Sequence, residues 1–271
     1  MRDTLKTFKM RVAFLRSSYR LRRAVSAVPK SKSAAVIIIG NEILSGKVRD
    51  ENSYFFAGEL RGLGVELSFM AVVPDVVEEI AGIVASCSGK YDYVFTSGGI
   101  GPTHDDVTMR GIAAAFGLDM VVNERYRQVI VERCGKELSE VAMRMAELPR
   151  GAEIIELNGI NFPPVRVENV YVFPGIPEFL RKKFCAMKER FRGEPYHLRR
   201  VYINSEECLI AESLDAVARK YPVVEIGSYP KIGEREYRVL VTLESRSEKD
   251  LSDAVTELLD ILPRNIVVGT A

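Results

Sequence analysis

One short run of the sequence, from Thr96 to Thr108, combines three glycines with two adjacent aspartates. It reads T-S-G-G-I-G-P-T-H-D-D-V-T, and Gly98, Gly99 and Gly101 directly follow an apolar segment that predicts a strand. Glycine lets backbone N–H groups approach a phosphate closely and adopts left-handed dihedrals without steric cost. A helix that begins after the turn directs its positive N-terminal end toward the same place. The run therefore predicts an anion-binding pocket.

The two aspartates of this run, Asp105 and Asp106, place negative charge beside a pocket that is suited to anions. A magnesium-like cation resolves the conflict, because such ions bind through one or two carboxylates and the phosphates of the substrate while they keep several waters. Thr103 and Thr108 offer further hydroxyl contacts. Two structural alternatives stay open at this point: the glycines can serve tight packing alone, and the aspartates can cap the next helix.

Two other loops are expected at the same edge of the sheet, because they also follow predicted strands. The first, G-N-E-I-L-S-G from Gly40 to Gly46, contains Glu42. This residue is a further metal-binding carboxylate, a contact to hydroxyl or base groups of the ligand, or a solvated loop residue. The second, F-P-G-I-P from Phe173 to Pro177, opens a helix at Pro177. The exposed N–H groups of that helix are either a second anion contact or a plain helix entry.

Several common catalytic sites are excluded by motifs that the sequence lacks. The glycine run is not followed by the Gly-Lys-Ser/Thr of a P-loop, it is not the G-x-G-x-x-G dinucleotide motif, and no G-x-S-x-G elbow is present. The four cysteines lie far apart without a C-x-x-C pair, and there are only two histidines, so neither a zinc site nor a disulfide framework is expected. A reducing compartment is the natural inference.

The order of apolar segments predicts strands that alternate with helices, as in a parallel sheet that is covered on both faces. We therefore expect a three-layer α/β/α fold with a mostly parallel sheet. Asn52 is expected to cap the first long helix, and a second helix is expected after Pro74 and Asp75. The predicted strands span residues 35–40, 65–73, 91–96, 153–157 and 165–173, and a mainly helical stretch spans residues 124–148.

A second domain is expected after the segment Arg192 to Pro195. Beyond it, the apolar pattern gives the order strand, helix, strand, strand, helix, strand, which is that of a small ferredoxin-like α+β domain. The expected organisation is a basic leader at residues 1–33, the α/β domain at 34–193 and the ferredoxin-like domain at 194–271.

Charge is distributed unevenly along the chain. Residues 1–33 contain ten basic side chains and one acidic one, whereas the remaining 238 residues contain 28 basic and 36 acidic side chains. An acidic body does not favour nucleic-acid binding, which needs a basic face. The longest apolar run, Ala34 to Ile39, is too short to span a bilayer, so no membrane partner is expected. The leader is typical of a transit peptide to the mitochondrial matrix. The alternative is a disordered extension of a cytoplasmic protein.

Five blocks of the sequence, in order, resemble the molybdopterin-binding domain family, which includes MoaB, MogA and the amino-terminal part of bacterial CinA. Within this family the chain most resembles the molybdopterin-binding-like domain of eukaryotic FAD synthase, and the likeness extends from Ala34 through the ferredoxin-like tail. The blocks are I-I-I-G-N-E-I-L-S-G (Ile37 to Gly46), V-V-P-D (Val72 to Asp75), G-G-I-G-P-T-H-D-D-V-T (Gly98 to Thr108), N-V-Y-V-F-P-G-I-P (Asn169 to Pro177) and G-S-Y-P (Gly227 to Pro230).

The resemblance implies a pocket for a pterin- or flavin-type nucleotide ligand. It also implies divalent-metal-dependent hydrolysis of a pyrophosphate bond, either FAD to FMN and AMP or an ADP-ribose-like compound. The metal would be magnesium or cobalt, with potassium as a further cation, and a homo-oligomer, either a dimer or a trimer, is expected. Carried over to this chain, the resemblance implies phosphate contacts at Gly98, Gly99, Gly101 and Thr103. The metal and the attacking water would be held by Asp105, Asp106 and Glu42. The pocket would be lined by Asn41, Pro174, Gly175 and Pro177.

The chain departs from these relatives in one respect. No segment resembles the PAPS-reductase-type domain with which FAD synthase joins FMN to an adenylyl group, or the deamidase of CinA, so this chain is not expected to synthesise FAD. Two alternatives to hydrolysis stay open: a non-catalytic module that binds molybdopterin or a flavin, and adenylyl transfer to molybdopterin.

Overall fold

The most apolar segment of the sequence forms a central strand of the fold. In the computed structural model, which describes residues 31–134, 143–233 and 236–271, this strand is β1 (Ser33–Ile39), and it is buried from Ala34 onward. Its odd-numbered residues from 35 to 39 face one layer of helices, and its even-numbered residues from 34 to 38 face the other. A strand that is covered on both faces needs a continuous apolar run, as this sequence provides.

Five further strands complete the sheet around β1. They are β2 (Glu66–Val73), β3 (Tyr93–Ser97), β6 (Glu153–Ile154), β7 (Val165–Val167) and β8 (Val170–Phe173). The order across the sheet is β2-β1-β3-β8-β7-β6. The first four strands run parallel, whereas β7 and β6 add an antiparallel edge. The carboxyl ends of β1, β2, β3 and β8 therefore lie along one edge of the sheet.

Helices cover both faces of this sheet and confirm the expected three-layer fold. The helices of this part are α1 (Asn41–Leu44), α2 (Asn52–Gly62), α3 (Val77–Ser88), α4 (Thr108–Phe116), α5 (Glu124–Cys134) and α6 (Pro177–Met187). Buried side chains of α3, α4 and α5 pack on one face, and those of α2 and α6 pack on the other. No helix in the described ranges is long and apolar enough to cross a membrane.

An aromatic cluster fixes α2 and α6 against the sheet. Its fully buried members are Phe56, Phe95, Phe173, Phe184 and Phe191. The rings of Phe56 and Phe184 join the two helices edge to face at 5.3 Å between centroids. Each buried phenylalanine contributes on the order of 1.5–3 kcal/mol, and edge-to-face geometry adds to this. The cluster thereby holds the N-terminal ends of both helices at the carboxyl edge of the sheet.

The remaining described residues form a smaller four-stranded sheet with two helices. Its elements are β9 (His197–Ile203), α7 (Glu207–Lys220), β10 (Glu225–Pro230), β11 (Val239–Ser245), α8 (Glu248–Ile261) and β12 (Val267–Thr270). The strand order is β10-β11-β9-β12, and all neighbouring strands are antiparallel. This is the ferredoxin-like arrangement that the sequence predicts.

A polar joint connects the two sheets. The Arg61 guanidinium lies 3.4 Å from the centroid of the Tyr196 ring, and Arg246 stacks on the same ring at 4.0 Å. Arg246 also donates a hydrogen bond of 2.8 Å to the carbonyl of Gly64. A cavity of about 550 Å³ adjoins this joint and is lined by Arg61, Tyr196, Glu225 and Glu244 among others.

Several local predictions are wrong, and two of them fail because strand pairing overrides a local pattern. Residues 165–173 form two strands instead of one, since the chain turns at Glu168, which has φ of 52°. Glu147 and Leu148 belong to strand β5 (Glu147–Pro149), which pairs with β4 (Met120–Val122), and not to a helix. Residues 40–46 contain the short helix α1. The predicted break at Gly135 and residues 1–30 of the leader lie outside the described residues, so the targeting role stays a prediction.

One lysine is placed at an unfavourable position in this core. Lys183 is buried on α6 together with Leu180, Phe184 and Met187. Burial lowers the pKa of its ammonium group to about 8, because a charged group is disfavoured away from water.

We expect Lys183→Met to stabilise the protein at pH 7, because methionine has a similar shape and removes the buried charge. The gain is about 2 kcal/mol, since each unit of pKa shift corresponds to about 1.4 kcal/mol and residual water contact reduces the penalty. Because the folded-state pKa is lowered, the stability of the natural chain rises from about pH 8 to pH 10.5, whereas that of the variant does not.

Urea unfolding at a series of pH values measures both effects. Lys182→Met is the matched control, because Lys182 is the exposed neighbour on the same helix, and it is expected to change neither quantity. A Lys183→Met variant that is less stable than the natural chain at pH 7 contradicts this account.

Candidate active site

Four loops meet at the carboxyl edge of the parallel strands. They follow β1, β2, β3 and β8 and comprise residues 40–51, 74–76, 98–107 and 174–176. Open α/β sheets bind their ligands at this edge. All of the site residues that the sequence predicts lie in these loops or at the first residues of the helices that follow them.

The glycine turn is pressed against the ends of two strands. Gly98 and Gly99 have φ of 110° and 60°, the left-handed region that the sequence argument required of glycine. A Cβ atom on Gly98 would lie 2.0 Å from the carbonyl oxygen of Ile39. The N–H of Gly98 donates to the carbonyl of Phe173 at 3.1 Å. The start of the turn therefore touches the ends of both β1 and β8.

Three consecutive backbone N–H groups of the turn are free for a ligand. Those of Gly99, Ile100 and Gly101 make no hydrogen bond to another described residue, whereas the N–H of Gly98 is used within the fold. Free N–H groups in a left-handed turn form an anion-binding concavity. The N–H of Gly98 is therefore not available for the predicted phosphate contact, whereas those of Gly99 and Gly101, together with that of Ile100, stay available.

Thr108, the first residue of α4, holds the turn in place. It is fully buried, its hydroxyl donates to the carbonyl of Gly98 at 2.8 Å, and its N–H donates to the carbonyl of Gly99 at 3.0 Å. The hydroxyl is thus directed at the backbone of the turn. Its predicted contact with a ligand stays a prediction.

The two adjacent aspartates do not cap α4. The N-cap position of that helix is Val107, which has no side-chain cap. Asp106 instead accepts hydrogen bonds from the N–H of Thr103 at 2.8 Å and from the Thr103 hydroxyl. The pKa of Asp105 is lowered, first by hydrogen bonding to the same hydroxyl. That hydroxyl has one proton, and we assign it to Asp106, because the Thr103 N–H points to the same carboxylate oxygen.

Asp75 is a site residue that the sequence argument missed. Its Oδ2 accepts a hydrogen bond of 2.8 Å from the N–H of Asn41, and its Oδ1 lies 3.4 Å from the position of a Cβ on Gly99. The pKa of Asp75 is raised, first by burial and then also by the charges of Glu42, Asp105 and Asp106. The signal was present in the V-V-P-D block, but the residue was interpreted as a helix start, whereas α3 begins at Val77.

Glu42, the third predicted metal ligand, folds back over its own loop. A Cβ on Gly40 would lie 2.6 Å from its Oε1. Among the residues that the structure describes, no group of three or more His, Cys, Asp or Glu side chains is placed to hold a metal ion. The acidic side chains of the site therefore lie within electrostatic range of one another without forming a closed cage.

Asn52 connects three of the loops, a role that the sequence did not reveal. It was predicted as the N-cap of α2, but it is the first residue of that helix and is buried, with 6% of its surface exposed. Its Nδ2 donates to Ser97 Oγ at 3.0 Å and to the carbonyl of Gly175 at 2.6 Å. Ser97 in turn donates to the carbonyl of Pro174 at 3.1 Å. The capping acceptor is Asp50, which receives the N–H of Asn52 at 2.9 Å.

The Pro174 to Pro177 turn lines a small cavity next to Asn52. This cavity has a volume of about 50 Å³, and its lining includes Glu42, Ser97, Gly175 and Pro177. The Oδ1 atom of Asn52 is buried without a hydrogen-bond partner among the described residues. The cavity is large enough for a water molecule.

The larger of the two spaces at this edge of the sheet, called the main pocket below, is lined by the glycine turn and has a volume of about 310 Å³. Four predicted residues line its near wall, namely Gly99, Gly101, Thr103 and Asp106. Its far wall consists of residues that the sequence did not single out, among them Arg110, Met120, Tyr126, Arg144 and Met145. Of the predicted site residues, four therefore line this pocket, and Glu42, Gly175 and Pro177 line the small cavity. The lining of neither includes Asn41, Gly98, Asp105, Thr108 or Pro174.

The two parts of the chain match two known families of domain. Residues 35–191 match the family described as "Probable molybdopterin binding domain", and residues 195–271 match the one described as "FAD synthase, middle domain". The chain belongs to the molybdopterin-binding domain family.

Relatives of this family member include a probable FAD synthase and a shorter archaeal protein. A "Probable FAD synthase" of Caenorhabditis elegans is 33% identical over 269 residues, which are 89% of this chain and 52% of that protein. A protein of Archaeoglobus fulgidus is 35% identical over 227 residues, which are 84% of this chain and 96% of that protein. The chain thus spans about half the length of the FAD synthase relative and nearly all of the archaeal one.

A solved structure also matches this family member. The crystal structure of CinA from Thermoplasma acidophilum, a protein of unknown function, aligns with a TM-score of 0.56 at 30% identity. The alignment covers 59% of this chain and 98% of that CinA chain. The fold and the relation to both FAD synthase and CinA, as expected from the five sequence blocks, are thereby confirmed.

We expect Gly98→Ala to destabilise the protein by about 3 kcal/mol, because the new methyl group combines backbone strain with a clash against Ile39. Gly117→Ala is the matched control: Gly117 also has a positive φ, 64°, but a Cβ there meets open space. It is expected to cost only about 1 kcal/mol. Chemical denaturation measures both values, and equal losses contradict the proposed contact between the turn and β1.

We expect Asp75→Asn to stabilise the protein at pH 7 in buffer containing EDTA. The amide keeps an oxygen acceptor for Asn41 N–H and removes a charge that burial and the neighbouring carboxylates disfavour. Because the folded-state pKa of Asp75 is raised, the natural chain loses stability as the pH rises through that pKa, whereas the variant does not.

Thermal unfolding at pH values below and above the range in which aspartate side chains titrate checks this expectation. Asp119→Asn serves as control, because Asp119 is an exposed residue that pairs with Arg150 away from the cluster. A lower melting temperature for Asp75→Asn than for the natural chain at pH 7 contradicts the account of the cluster.

Proposed function

We propose that this family member hydrolyses the pyrophosphate bond of a nucleotide with the help of a divalent cation, with FAD as the first substrate to test and ADP-ribose-like compounds as the second. The observation that carries the proposal is the juxtaposition of three free N–H groups at residues 99–101 with the carboxylates of Asp75 and Asp106. The N–H groups suit a phosphate, whereas the carboxylates suit a cation and a water molecule. A pyrophosphate bridged by a cation needs both. The relation to FAD synthase supports the choice of FAD.

The donor set fits a divalent cation that accepts oxygen ligands, such as magnesium or cobalt. All candidate ligands near the turn are carboxylate or hydroxyl oxygens, which such ions prefer. The side chains do not supply a complete cage, so phosphate oxygens and waters have to supply the remaining ligands, as is usual for magnesium. When bound, the cation would neutralise charge on the phosphate oxygens and lower the pKa of a coordinated water.

The residues of the chain would position the reacting groups. The N–H groups of Gly99, Ile100 and Gly101 donate to the oxygens of one phosphate, and these bonds strengthen as negative charge develops there. Thr103 fixes the rotamer of Asp106 through its N–H and hydroxyl, and Asn41 does the same for Asp75 through its N–H. The two carboxylates thus accept hydrogen bonds from the attacking water and direct its oxygen at phosphorus.

The hydrolysis consumes one water molecule and needs no other co-reactant. The water oxygen forms a bond to one phosphorus, the bond from that phosphorus to the bridging oxygen breaks, and the bridging oxygen leaves with the second phosphate. A carboxylate of the site accepts the proton of the water. The products are two monophosphates, FMN and AMP when the substrate is FAD.

The test is to incubate the purified chain with FAD and to follow the release of FMN, with MgCl₂ or CoCl₂ and with or without KCl. We expect Asp106→Asn and Asp75→Asn each to lower the rate by about 100-fold or more, the size of effect usual for positioned acid–base groups. Asp119→Asn is expected to leave the rate unchanged. Full activity in the double variant Asp75→Asn with Asp106→Asn contradicts the assigned roles.

A second candidate is a module that binds molybdopterin or a flavin without turnover. The observation that favours it is the lack, in the described ranges, of a group of three or more acidic, histidine or cysteine side chains that could hold a metal. Calorimetry with FMN and with a pterin distinguishes the two functions. Tight binding without product release in any metal supports the module, and FMN release with saturation kinetics supports the hydrolase.

A further inference from the structure

The far wall of the main pocket contains two arginines for which the described residues provide no partner. Arg110 lies on α4, and Arg144 begins the short 3-10 helix Arg144–Ala146. Both line the pocket that also contains Asp106, and neither forms a hydrogen bond or ion pair with another residue in the described part of the chain. Arginines elsewhere on the same side of the fold are paired, Arg125 with Glu156 and Arg150 with Asp119. The guanidinium groups of Arg110 and Arg144 therefore offer a second anion-binding site in this pocket, in addition to the N–H groups of residues 99–101.

The size of the pocket limits what it can enclose. Its volume of about 310 Å³ is at the lower end of the range of about 300–1,000 Å³ that is typical of sites for drug-sized ligands. One nucleotide unit fits within this volume, and the second unit of a compound of two joined units extends beyond it. Because the turn and Asp106 form one wall, the scissile bond lies at that wall, and the enclosed unit extends from it toward the arginines.

The remaining lining suits a nucleoside. The methionines of the pocket, Met109, Met120 and Met145, provide flexible, polarisable surface that packs well on a planar heterocycle. Glu147 can accept hydrogen bonds from ribose hydroxyls. Tyr126 also lines the pocket, and burial raises its pKa to about 12, so its phenol stays neutral and can donate a hydrogen bond.

We propose that Arg110 and Arg144 bind the nucleoside monophosphate half of the substrate, the adenylyl half when the substrate is FAD, and leave the larger flavin half outside the pocket. Guanidinium groups suit this role because they bind phosphate bidentately and stack on heterocycles. The proposal rests on the proposed hydrolysis for the position of the scissile bond, but the binding of the monophosphate itself needs no turnover. It predicts that compounds with the same adenylyl half and different second halves bind alike.

The test is calorimetric titration of the full chain with AMP, adenosine and FMN in buffer that contains EDTA. The variants are Arg110→Gln, Arg144→Gln and the double variant, with Arg150→Gln as matched control, because Arg150 is an exposed arginine outside the pocket lining. We expect each single change to raise the Kd for AMP about tenfold, as is usual for loss of a charge-assisted hydrogen bond. The Kd for adenosine and FMN, and every Kd of the control, should change little.

The same variants separate binding from turnover in the FAD assay. We expect KM to rise about tenfold while kcat at saturating FAD stays within about twofold, because the contact with the adenylyl phosphate is made equally in the bound substrate and in the transition state. Thermal unfolding confirms that the variants stay folded.

Two outcomes overturn the proposal: unchanged AMP binding in the double variant, or weakened FMN binding with AMP binding unchanged, which would place the flavin half in the pocket. If the natural chain releases no FMN in any metal but binds AMP through these arginines, the hydrolysis is wrong and the nucleotide pocket stands.

Discussion

The site depends on how closely the backbone of Gly98 approaches the carbonyl of Ile39. Only a residue without a Cβ permits this approach, since a methyl group there would lie 2.0 Å from the carbonyl oxygen. The approach places residues 99–101 in the lining of the pocket and brings the turn next to Asp75. Thr108 donates a hydrogen bond to the backbone of the turn. Asn52 connects the end of β3 with the loop after β8 by hydrogen bonds to Ser97 and Gly175. The polar groups of the site are thereby held by buried hydrogen bonds, which are costly to break.

The carboxylates of the site repel one another when no cation is bound. Burial raises the pKa of Asp75, and the charges of Glu42, Asp105 and Asp106 raise it further. These carboxylates lie in a body that already has excess negative charge. The cost is typical of a functional site, where local stability is lowered in favour of binding. The pocket contains groups that suit both signs of charge: its N–H groups and arginines suit a phosphate, and its carboxylates suit a cation. A metal-bridged pyrophosphate is the simplest ligand that satisfies both.

Much of the fold could be predicted from the sequence because it depends on local patterns. The apolar run of β1 indicates a strand buried on both faces, and the alternation of Val239, Val241 and Leu243 in β11 indicates a strand with one covered face. The pattern fails where pairing partners are distant, as at Glu147 and Leu148, whose strand exists only because β4 lies beside it. Asn52 was misinterpreted for the same reason: its residue type favours a helix cap, but its partners, Ser97 and Gly175, are distant in sequence.

The sequence alone determined the family, the order of elements, the glycine turn and the two adjacent aspartates, because each of these is encoded by residues that are neighbours in the chain. The tertiary structure decided which of those residues act together. It brought Asp75 to the turn, and it placed some of the predicted residues in a pocket of about 310 Å³ and others in a cavity of about 50 Å³. It also supplied the far wall of the pocket with Arg110 and Arg144. These decisions depend on the packing of helices and strands that are far apart in sequence, since residue types and spacing fix local conformation but not which distant side chains share a cavity.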